Sequence, residues 1–343
     1  MRAIAPILEE ALSALRPDGA DEERIRRLAE GLGRRLEEEI RKRGLDVEVR
    51  LEGSVAKGTW IRGEADLDIF LRFPKGMGKE MFRAIALDIG KEVLREYGPY
   101  ERYSEHPYVE AIVDGVVVDI VPCYRVEPGD WISSTDRTPY HTQYIIEKLG
   151  EGGRDDVRLL KGFLKANGLY GADAKVRGFS GMLCETLILK YGSFTSLLEG
   201  AAAWRRKEVI DVEGHYSGRE DEARELFDDP LIVIDPVDRK RNVGAAVSLR
   251  SFGTFVHACR DFLRMPRMEF FFPRSPPPVT VSRLRRILGL RGTRLIFLLL
   301  HHGGLSEEVI YPQLRKTARA IQNSLVQRGF SVIRSGVVAD ERD

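Results

Sequence analysis

The sequence predicts an α+β protein of several domains, and three observations support this class. The chain has 343 residues, more than a single core of ordinary size requires. Residues 1–140 mix helix and strand periodicities, residues 141–265 are mostly helical, and residues 266–343 return to alternating helix and strand signals. Apolar residues make up 43% of the chain, enough to build sizeable cores. We therefore expect a head with a mixed sheet and helices, a helical central domain and a small α/β C-terminal domain.

The head is expected to begin with a helix and a strand. Residues 21–43 carry one apolar stripe at helical spacing, with Asp21 as the predicted N-cap. Residues 47–51 alternate apolar and charged side chains and so predict a strand, which Gly53 and Ser54 end. The apolar stripe of the helix consists of Ile25, Leu28, Leu32, Leu36 and Ile40.

Further strands and a second helix complete the predicted head. Residues 65–73 place their apolar side chains on one strand face, and residues 82–93 repeat apolar side chains at helical spacing. Two β-rich runs, residues 109–113 and 116–124, flank the dipeptide Asp114-Gly115. Because this dipeptide favours the turn of a two-residue loop, it predicts a tight hairpin.

The central region is predicted to be helical and the last region mixed. Residues 157–164 form an apolar stripe, Ser180 is a candidate cap for the next helix, and residues 243–263 have a largely helical pattern. The proline-rich stretch 273–278 marks a boundary. Beyond it the predicted elements are a helix at 282–288, a strand at 293–300, a helix at 312–328 and a strand at 330–338.

Basic residues concentrate in the second half, although the whole chain has a net charge of only +1. Residues 260–294 contain nine arginines against Asp261 and Glu269, which gives this stretch a net charge of +7. Residues 204–207 and 239–241 add smaller basic clusters. A basic half beside an acidic strand segment suits an enzyme that acts on a polyanion. Arginine-rich helices exposed to solvent give the same pattern, and charge alone favours neither explanation.

The cysteines and the apolar runs exclude several protein classes. Cys123, Cys184 and Cys259 are far apart and form no CxxC pair, so neither a disulfide framework nor a zinc site is predicted. The N-terminus lacks the long apolar run of a signal peptide. The longest dense apolar run, residues 295–300, is too short to span a bilayer. We expect a soluble protein of the cytoplasm that does not bind a membrane.

Three carboxylates stand out as candidates for catalysis. Asp66 and Asp68 lie two residues apart on a predicted strand, so they project from the same face, opposite the apolar one. Asp119 interrupts the apolar run 116–121. A charge in the middle of such a strand is costly unless it is paired or bound to a metal. Two carboxylates so placed can share a pair of divalent ions. A solvated strand face and an arginine partner are the ordinary alternatives.

Gly53 and Ser54 are candidate phosphate-binding residues. A glycine at the end of a strand lets the backbone approach a phosphate closely, and successive N–H groups with the serine hydroxyl can hold it. Lys57 can add a positive charge. A plain turn explains the same dipeptide. The chain has no GxxxxGK[ST] sequence, which excludes a P-loop enzyme.

Taken together, these residues resemble a known superfamily. Gly53-Ser54, Asp66-x-Asp68 and the third strand carboxylate Asp119 look like the nucleotidyltransferase superfamily, which includes DNA polymerase β and poly(A) polymerases. Seven segments in order resemble the archaeal, class I CCA-adding enzymes, a family of tRNA nucleotidyltransferases, over essentially the whole chain. Each segment is weak alone, but the ordered set is specific. The segments are residues 52–60, 104–109, 118–124, 136–141, 157–170, 175–181 and 235–243.

The resemblance implies roles for the strand acids and for the residues that touch the triphosphate. Asp66, Asp68 and Asp119 match the catalytic acids that hold Mg²⁺. The family often has Glu at the first position, so Asp66 reaches one methylene less far. Ser54 and Lys57 match positions that touch the triphosphate. The family commonly has Arg at the second, so Lys57 acts as a point charge rather than as a fork.

Four further residues match positions that bind the nucleotide. His141, Lys161 and Tyr170 match residues that contact the nucleotide, and Arg241 matches an arginine that helps to read the incoming base. For three of them the residue type alone suggests an ordinary role. His141 can cap a loop, Lys161 can be an exposed helix residue, and Tyr170 can fill a turn.

The function implied by the resemblance is template-independent addition of C, C and A to the 3′ end of tRNA from CTP and ATP. The implied chemistry is a two-metal attack of the 3′-hydroxyl on the α-phosphate, with release of pyrophosphate. An RNA-tailing enzyme like poly(A) polymerase, or a non-catalytic RNA-binding fragment of this fold, shares many of these features. The resemblance also implies a homodimer. Family members usually continue past the point where this sequence stops, so we expect an incomplete C-terminal domain without the family tail, in either a fragment or a reduced form.

Overall fold

The computed structural model describes residues 4–102, 107–275 and 277–339, and its fold is α+β, as predicted. Part of the segment 104–109 lies outside the described residues. The helices are α1 (Ile4–Leu15), α2 (Gly19–Lys42), α3 (Gly53–Lys57), α4 (Lys79–Val93), α5 (Thr138–Lys148), α6 (Glu151–Ala166), α7 (Gly181–Tyr191), α8 (Phe194–Ala201), α9 (Glu220–Leu226), α10 (Leu249–Arg264), α11 (Val281–Arg291) and α12 (Glu307–Gln327). The strands are β1 (Glu48–Glu52), β2 (Asp66–Pro74), β3 (Tyr100–Arg102), β4 (Tyr108–Val113), β5 (Val116–Arg125), β6 (Glu208–Ile210), β7 (Leu231–Asp235) and β8 (Asp238–Asn242).

The head is built around a five-stranded mixed sheet in the order β1-β2-β5-β4-β3. Strands β2 and β5 run parallel, and the other neighbours are antiparallel. The predicted apolar face of β2 is buried, with Leu67, Leu71 and Phe73 fully inaccessible, and it shares one core with α2 and α4. The opposite face of β2 therefore carries the residues that alternate with these apolar ones, among them Asp66 and Asp68.

Two local signals in the head are explained by backbone geometry. The predicted hairpin forms, and Asp114 and Gly115 adopt the positive φ values that its turn needs, 51° and 78°. Helix α2 starts earlier than predicted, because Asp18 is the N-cap and Asp21 is its partner in a capping box. The prediction of Asp21 as the N-cap is therefore wrong by one turn.

A second core lies among the helices of the central region. It contains side chains of α6, α7, α8 and α10, together with Ala11 and Leu15 of the N-terminal helix α1. Phe163 lies at its centre, with several aromatic rings around it at centroid distances between 5.7 and 6.4 Å. Ser180 caps α7, as predicted. The small sheet β6-β7-β8, which packs beside these helices, is not signalled by the sequence pattern.

The C-terminal region forms its two predicted helices but not its two predicted strands. Residues 293–300 and 330–338 have no regular secondary structure and belong to no sheet among the described residues. Leu295–Leu300 are exposed, up to 90% for Leu299. An isolated strand leaves its N–H and C=O groups without partners, so apolar β-propensity alone does not form one. Separately, none of the described helices is both long and apolar enough to cross a membrane.

Candidate active site

Four carboxylates form a row across the head sheet. The register pairs Glu52 of β1 with Asp68 of β2, Asp68 with Asp119 of β5, and Asp119 with Glu110 of β4. Directly paired residues project from the same face of a sheet, and Asp66 lies two residues before Asp68 on that face. The structure therefore brings together the three predicted acids. It adds two that the prediction missed, although a charge within the apolar strand 108–113 was a signal for Glu110.

Burial, and after it the charge of neighbouring acids, raises the pKa values of Asp66, Asp68 and Asp119. Burial, reinforced by Asp68, Glu110 and Asp66, raises the pKa of Asp119 to about 8. Burial and the charge of Asp66 raise the pKa of Asp68 to about 6. The pKa of Asp66, which lies at the exposed edge, is also raised, mainly by desolvation. Negative charge is concentrated here beyond what the protein's own cations neutralise.

Arg102 and Tyr100 set Glu110 apart from the other acids. Although burial alone raises the pKa of Glu110, hydrogen bonds from Arg102 and Tyr100 lower it. Glu110 is thus an ion-paired carboxylate at one end of the row. Asp66, Asp68 and Asp119, which the resemblance identifies as metal ligands, have no such partner, and neither carboxylate oxygen of Glu52 has a hydrogen-bond partner among the described residues.

The donor set suits a divalent cation. Among the described residues, Asp119 Oδ1 is buried and has no hydrogen-bond partner. Carboxylate oxygens are the ligands that Mg²⁺ prefers, and a bound cation favours the charged form, which burial and, after it, the neighbouring acids disfavour. In the described part of the chain no three acidic, His or Cys side chains already converge at ligand distance. The strand register, rather than a preformed cluster, is what brings these acids to one face of the sheet.

Gly53 is required where it stands. Its φ is +70°, and a Cβ added to it would lie 1.8 Å from Asp68 Oδ2. The backbone at Gly53 therefore packs directly under the Asp68 carboxylate, which any side chain would displace. Gly53 also begins the short helix α3, which carries the half-buried Ser54 on the same side of the sheet.

The two predicted lysines lie together in a buried polar cluster. Lys57 Nζ donates to Glu185 Oε2 at 2.6 Å, and Thr59 Oγ1 donates to Glu185 Oε1 at 2.7 Å. Lys161 Nζ donates to the carbonyl oxygen of Thr59 at 2.8 Å. Lys161 is only 2% exposed, so it is not the exposed helix residue that its type alone suggests, and burial lowers its pKa. Glu185 and Thr59 were not predicted as site residues.

His141 and Arg241 converge on one buried carboxylate. Asp235, at the end of β7, is fully buried and lies 2.8 Å from His141 Nε2. It also accepts a hydrogen bond from Arg241 Nη1 at 2.7 Å and another from Val237 N at 3.0 Å. Burial raises the pKa of Asp235, but the bonds from His141 and Arg241 outweigh it and lower the pKa overall. Asp235 lies in a segment that carries the resemblance, but it was not predicted as a site residue.

Tyr170 belongs to the helical region and lies near acidic residues of the head. Its ring is 5.0 Å from Lys165 Nζ, and the charges of Glu64 and Asp66 contribute to raising its pKa, after desolvation. Its hydroxyl lies beside Gly181, at the beginning of α7.

An open cavity of about 980 Å³ lies against the basic strand β8. Arg137, Arg239, Lys240 and Arg241 line it, together with Trp131 of the head. Arg241 thus presents part of its guanidinium to open space, while Asp235 holds one of its nitrogens. The predicted site residues form two groups, one around the acids and the lysines and one around Asp235.

Three family models match the chain in order. A model described as a nucleotidyltransferase domain matches residues 34–141, and one described as the second domain of tRNA nucleotidyltransferase matches residues 155–272. A model described as the C-terminal domain of the CCA-adding enzyme matches residues 291–343.

Curated relatives are similar over nearly the whole chain. The CCA-adding enzyme of Archaeoglobus fulgidus is 44% identical over 98% of this chain and 74% of the relative. The enzyme of the same name from Methanothermobacter thermautotrophicus is 41% identical, over 96% of this chain and 72% of the relative. That of Halobacterium salinarum is 37% identical over 100% of this chain and 74% of the relative.

Solved structures with low sequence identity have a similar fold. Cid1, described as having RNA terminal uridylyl transferase activity, superposes with a TM-score of 0.62 at 14% identity, covering 79% of this chain and 98% of its own. CdnC from E. coli MS115-1, solved with ATP, superposes with a TM-score of 0.58 at 16% identity, covering 83% of this chain and 97% of its own.

Proposed function

The chain belongs to the archaeal CCA-adding enzyme family, and on this basis we propose that it adds C, C and A to the 3′ end of tRNA from CTP and ATP. The observation that carries the proposal is the pairing of Asp68 with Asp119 on one sheet face, beside Asp66 and against Gly53. Transfer of a nucleotidyl group requires such a group of carboxylates with the backbone packed close beside it. No nucleic-acid template is needed in this reaction, so the protein and the primer end together select the nucleotide.

The proposed reaction exchanges one phosphate ester bond for another. The 3′-hydroxyl oxygen of the tRNA forms a bond to the α-phosphorus of the nucleotide. The bond from that phosphorus to the bridging oxygen of the β-phosphate breaks, and pyrophosphate leaves. The hydroxyl proton is released, and we propose that the carboxylate of Asp119, paired with Asp68 on this face, accepts it.

Asp66, Asp68 and Asp119 are the residues that would hold the divalent metal, which we propose is Mg²⁺. When bound, such an ion lowers the pKa of an attacking hydroxyl and offsets charge on the phosphates. The strand pairing fixes the separation of Asp68 and Asp119, so this part of the centre is set by the backbone. Catalysis by this chain is then mainly positioning and charge complementarity.

The lysines and the first residues of α3 are suited to the triphosphate. Gly53 begins α3 with its backbone packed against Asp68, and Ser54 follows it in the same helix. Lys57 and Lys161 lower the pKa of Asp68, so both ammonium groups lie within electrostatic range of the acid centre. We propose that they neutralise the triphosphate while the acids face the reacting end.

Arg241 is suited to reading the incoming base. Asp235 accepts a hydrogen bond from one guanidinium nitrogen of Arg241, and Arg241 also lines the open cavity. A guanidinium fixed in this way presents donors in one direction, which is what discrimination between bases requires. His141, whose Nε2 faces Asp235, supports this carboxylate rather than pointing to open space, and Tyr170 supplies an aromatic surface nearer the acids.

Incubating the purified protein with tRNA trimmed of its CCA end, Mg²⁺ and each nucleotide separately tests the proposal. We expect two C residues from CTP alone and one further A when ATP is also present. Long A tracts on generic RNA with no use of CTP identify an enzyme that resembles poly(A) polymerase. Binding of RNA without metal-dependent incorporation identifies a non-catalytic module. The resemblance also supports a cytoplasmic homodimer, and sedimentation of the purified chain tests the dimer.

A further inference from the structure

A buried charged cluster lies where the head meets the helical region. The head contributes Lys57 and Thr59, which follow the Gly53-Ser54 turn, and the helical region contributes Lys161 of α6 and Glu185 of α7. All four residues are at most 7% exposed. This network was not assigned any role by the sequence, and the reaction described above uses only the two lysines.

The cluster holds two ammonium groups against one carboxylate. Glu185 accepts from Lys57 and Thr59, and the carbonyl of Thr59 accepts from Lys161. An excess of buried positive charge is unfavourable unless a further anion completes the group. The acids on β2 supply part of this anion, since both lysines lower the pKa of Asp68. A triphosphate bound beside Asp68 would supply the rest.

A lysine does not fix its own position. Its ammonium is a point charge on a flexible stem with three donors, unlike the rigid fork of arginine. At 2.6 Å, Glu185 Oε2 holds Lys57 Nζ by a charge-assisted hydrogen bond and leaves the remaining N–H groups available. Protein kinases use the same device, an ion pair between a glutamate and the lysine that binds phosphates.

We propose that Glu185 is a positioning residue for the triphosphate. It orients Lys57 directly and Lys161 through Thr59, so that one carboxylate on the helical region aligns two cations beside the catalytic acids. This inference rests on the proposed function, because it assigns the triphosphate of CTP and ATP as the shared ligand. Its consequence is that loss of Glu185 impairs both nucleotides equally and leaves tRNA binding unaffected.

Glu185→Gln in the full-length chain tests the proposal, because it keeps the shape of the side chain and removes its charge. We expect kcat/KM for CTP and for ATP to fall about tenfold each, mostly through KM, while KM for tRNA changes less than twofold. The matched control is Asp156→Asn, which removes a carboxylate from α6 that caps α8 through Phe194 N. This control should leave both KM values as in the wild type. Tighter binding of nucleotide in Glu185→Gln would show that the carboxylate competes with the triphosphate and would overturn the proposal.

A double-mutant cycle with Lys57→Met separates positioning from a general loss of stability. If Glu185 acts through Lys57, Glu185→Gln should change nucleotide KM less than threefold when Lys57 is already absent. Equal effects in the two backgrounds contradict the proposal.

Thr59→Val is the second variant if the first does not fold, and we expect a rise in nucleotide KM of about threefold because it removes one of the two bonds to Glu185. An unchanged nucleotide KM in Thr59→Val contradicts the proposal. If the wild type incorporates no nucleotide, the proposed function fails, whereas normal wild-type activity with no effect of Glu185→Gln refutes only this inference.

Discussion

The carboxylate of Asp119 is expected to destabilise the protein whenever no cation is bound. Asp119 lies between Asp68 and Glu110 in the row of acids, and its pKa is raised to about 8. The folded state therefore keeps this proton to a higher pH than the unfolded state does. Between about pH 4 and pH 8 the unfolded state binds fewer protons, so the free energy of unfolding falls as the pH rises.

The size of this effect follows from the pKa difference. The folded value of about 8 compares with 3.8 for an ordinary aspartate. Each pH unit between the two corresponds to about 1.36 kcal/mol, and the part expressed at pH 7 amounts to about 4 kcal/mol. Neighbouring acids relax when Asp119 is neutral, so we expect Asp119→Asn to stabilise the metal-free protein by about 2 kcal/mol. For a protein of this size, with an unfolding entropy of about 2.1 cal/mol/K per residue, that is a rise in Tm of about 3 °C.

Thermal unfolding of the wild type and Asp119→Asn in EDTA, at pH 5, 7 and 8.5, measures this difference. The variant should be the more stable at pH 7 and 8.5, and its stability should decline less with pH. Added Mg²⁺ should raise the Tm of the wild type more than that of the variant. Glu127→Gln, at an exposed carboxylate beyond β5, is the control and should match the wild type.

The same substitution should abolish incorporation of nucleotides, with a loss of at least about 1,000-fold in kcat. A variant that is more stable and inactive identifies Asp119 as an acid kept for function at the cost of stability. If Asp119→Asn is less stable than the wild type at pH 8.5 and has the same pH slope, the assignment of repulsion to this carboxylate is refuted. Near-normal turnover would refute its place in catalysis.

Three further substitutions follow from the geometry. Gly53→Ala places a Cβ 1.8 Å from Asp68 Oδ2, so steady-state kinetics should show a fall in kcat of about 100-fold, and a fall below threefold contradicts the close approach. Asp235→Asn loosens Arg241, so the ratio of kcat/KM for CTP to that for UTP should fall about tenfold, and an unchanged ratio argues against base reading by this arginine. Phe163→Ala removes the central ring of the aromatic cluster, so denaturant unfolding should show a loss of about 3–5 kcal/mol, and a loss below 1 kcal/mol contradicts its central place.

Features set by neighbouring residues were predictable from the sequence. Alternation along residues 65–73 gave both the strand and its buried face, and Asp114-Gly115 gave the hairpin. The same alternation placed Asp66 and Asp68 together on the polar face. In each case the information lies within a few residues, where backbone geometry fixes which side chains share a face.

Features that depend on distant parts of the chain were not predictable. The parallel pairing of β2 with β5 sets the register of Asp68 and Asp119, and nothing local specifies that register. Lys161 is of a residue type that usually faces solvent, but α7 and the segment after α3 cover it. The strands predicted at 293–300 and 330–338 failed for the same reason, since a strand is stabilised by its neighbours.

The junction between the two cores is polar, and this is what ties the acid centre to the helical region. The turn that follows Gly53 is held by directional bonds, because Arg158 donates to the carbonyl oxygens of Gly58 and Trp60 at 2.7 and 3.1 Å, and Lys161 donates to that of Thr59. Apolar contacts between helices permit small displacements at little cost, whereas hydrogen bonds to successive backbone carbonyls define one position. Since Gly53 packs under Asp68, fixing this turn also fixes the Asp68 carboxylate relative to α6 and α7. A nucleotide that bridges the acids and the lysines would therefore meet a geometry already set by the backbone.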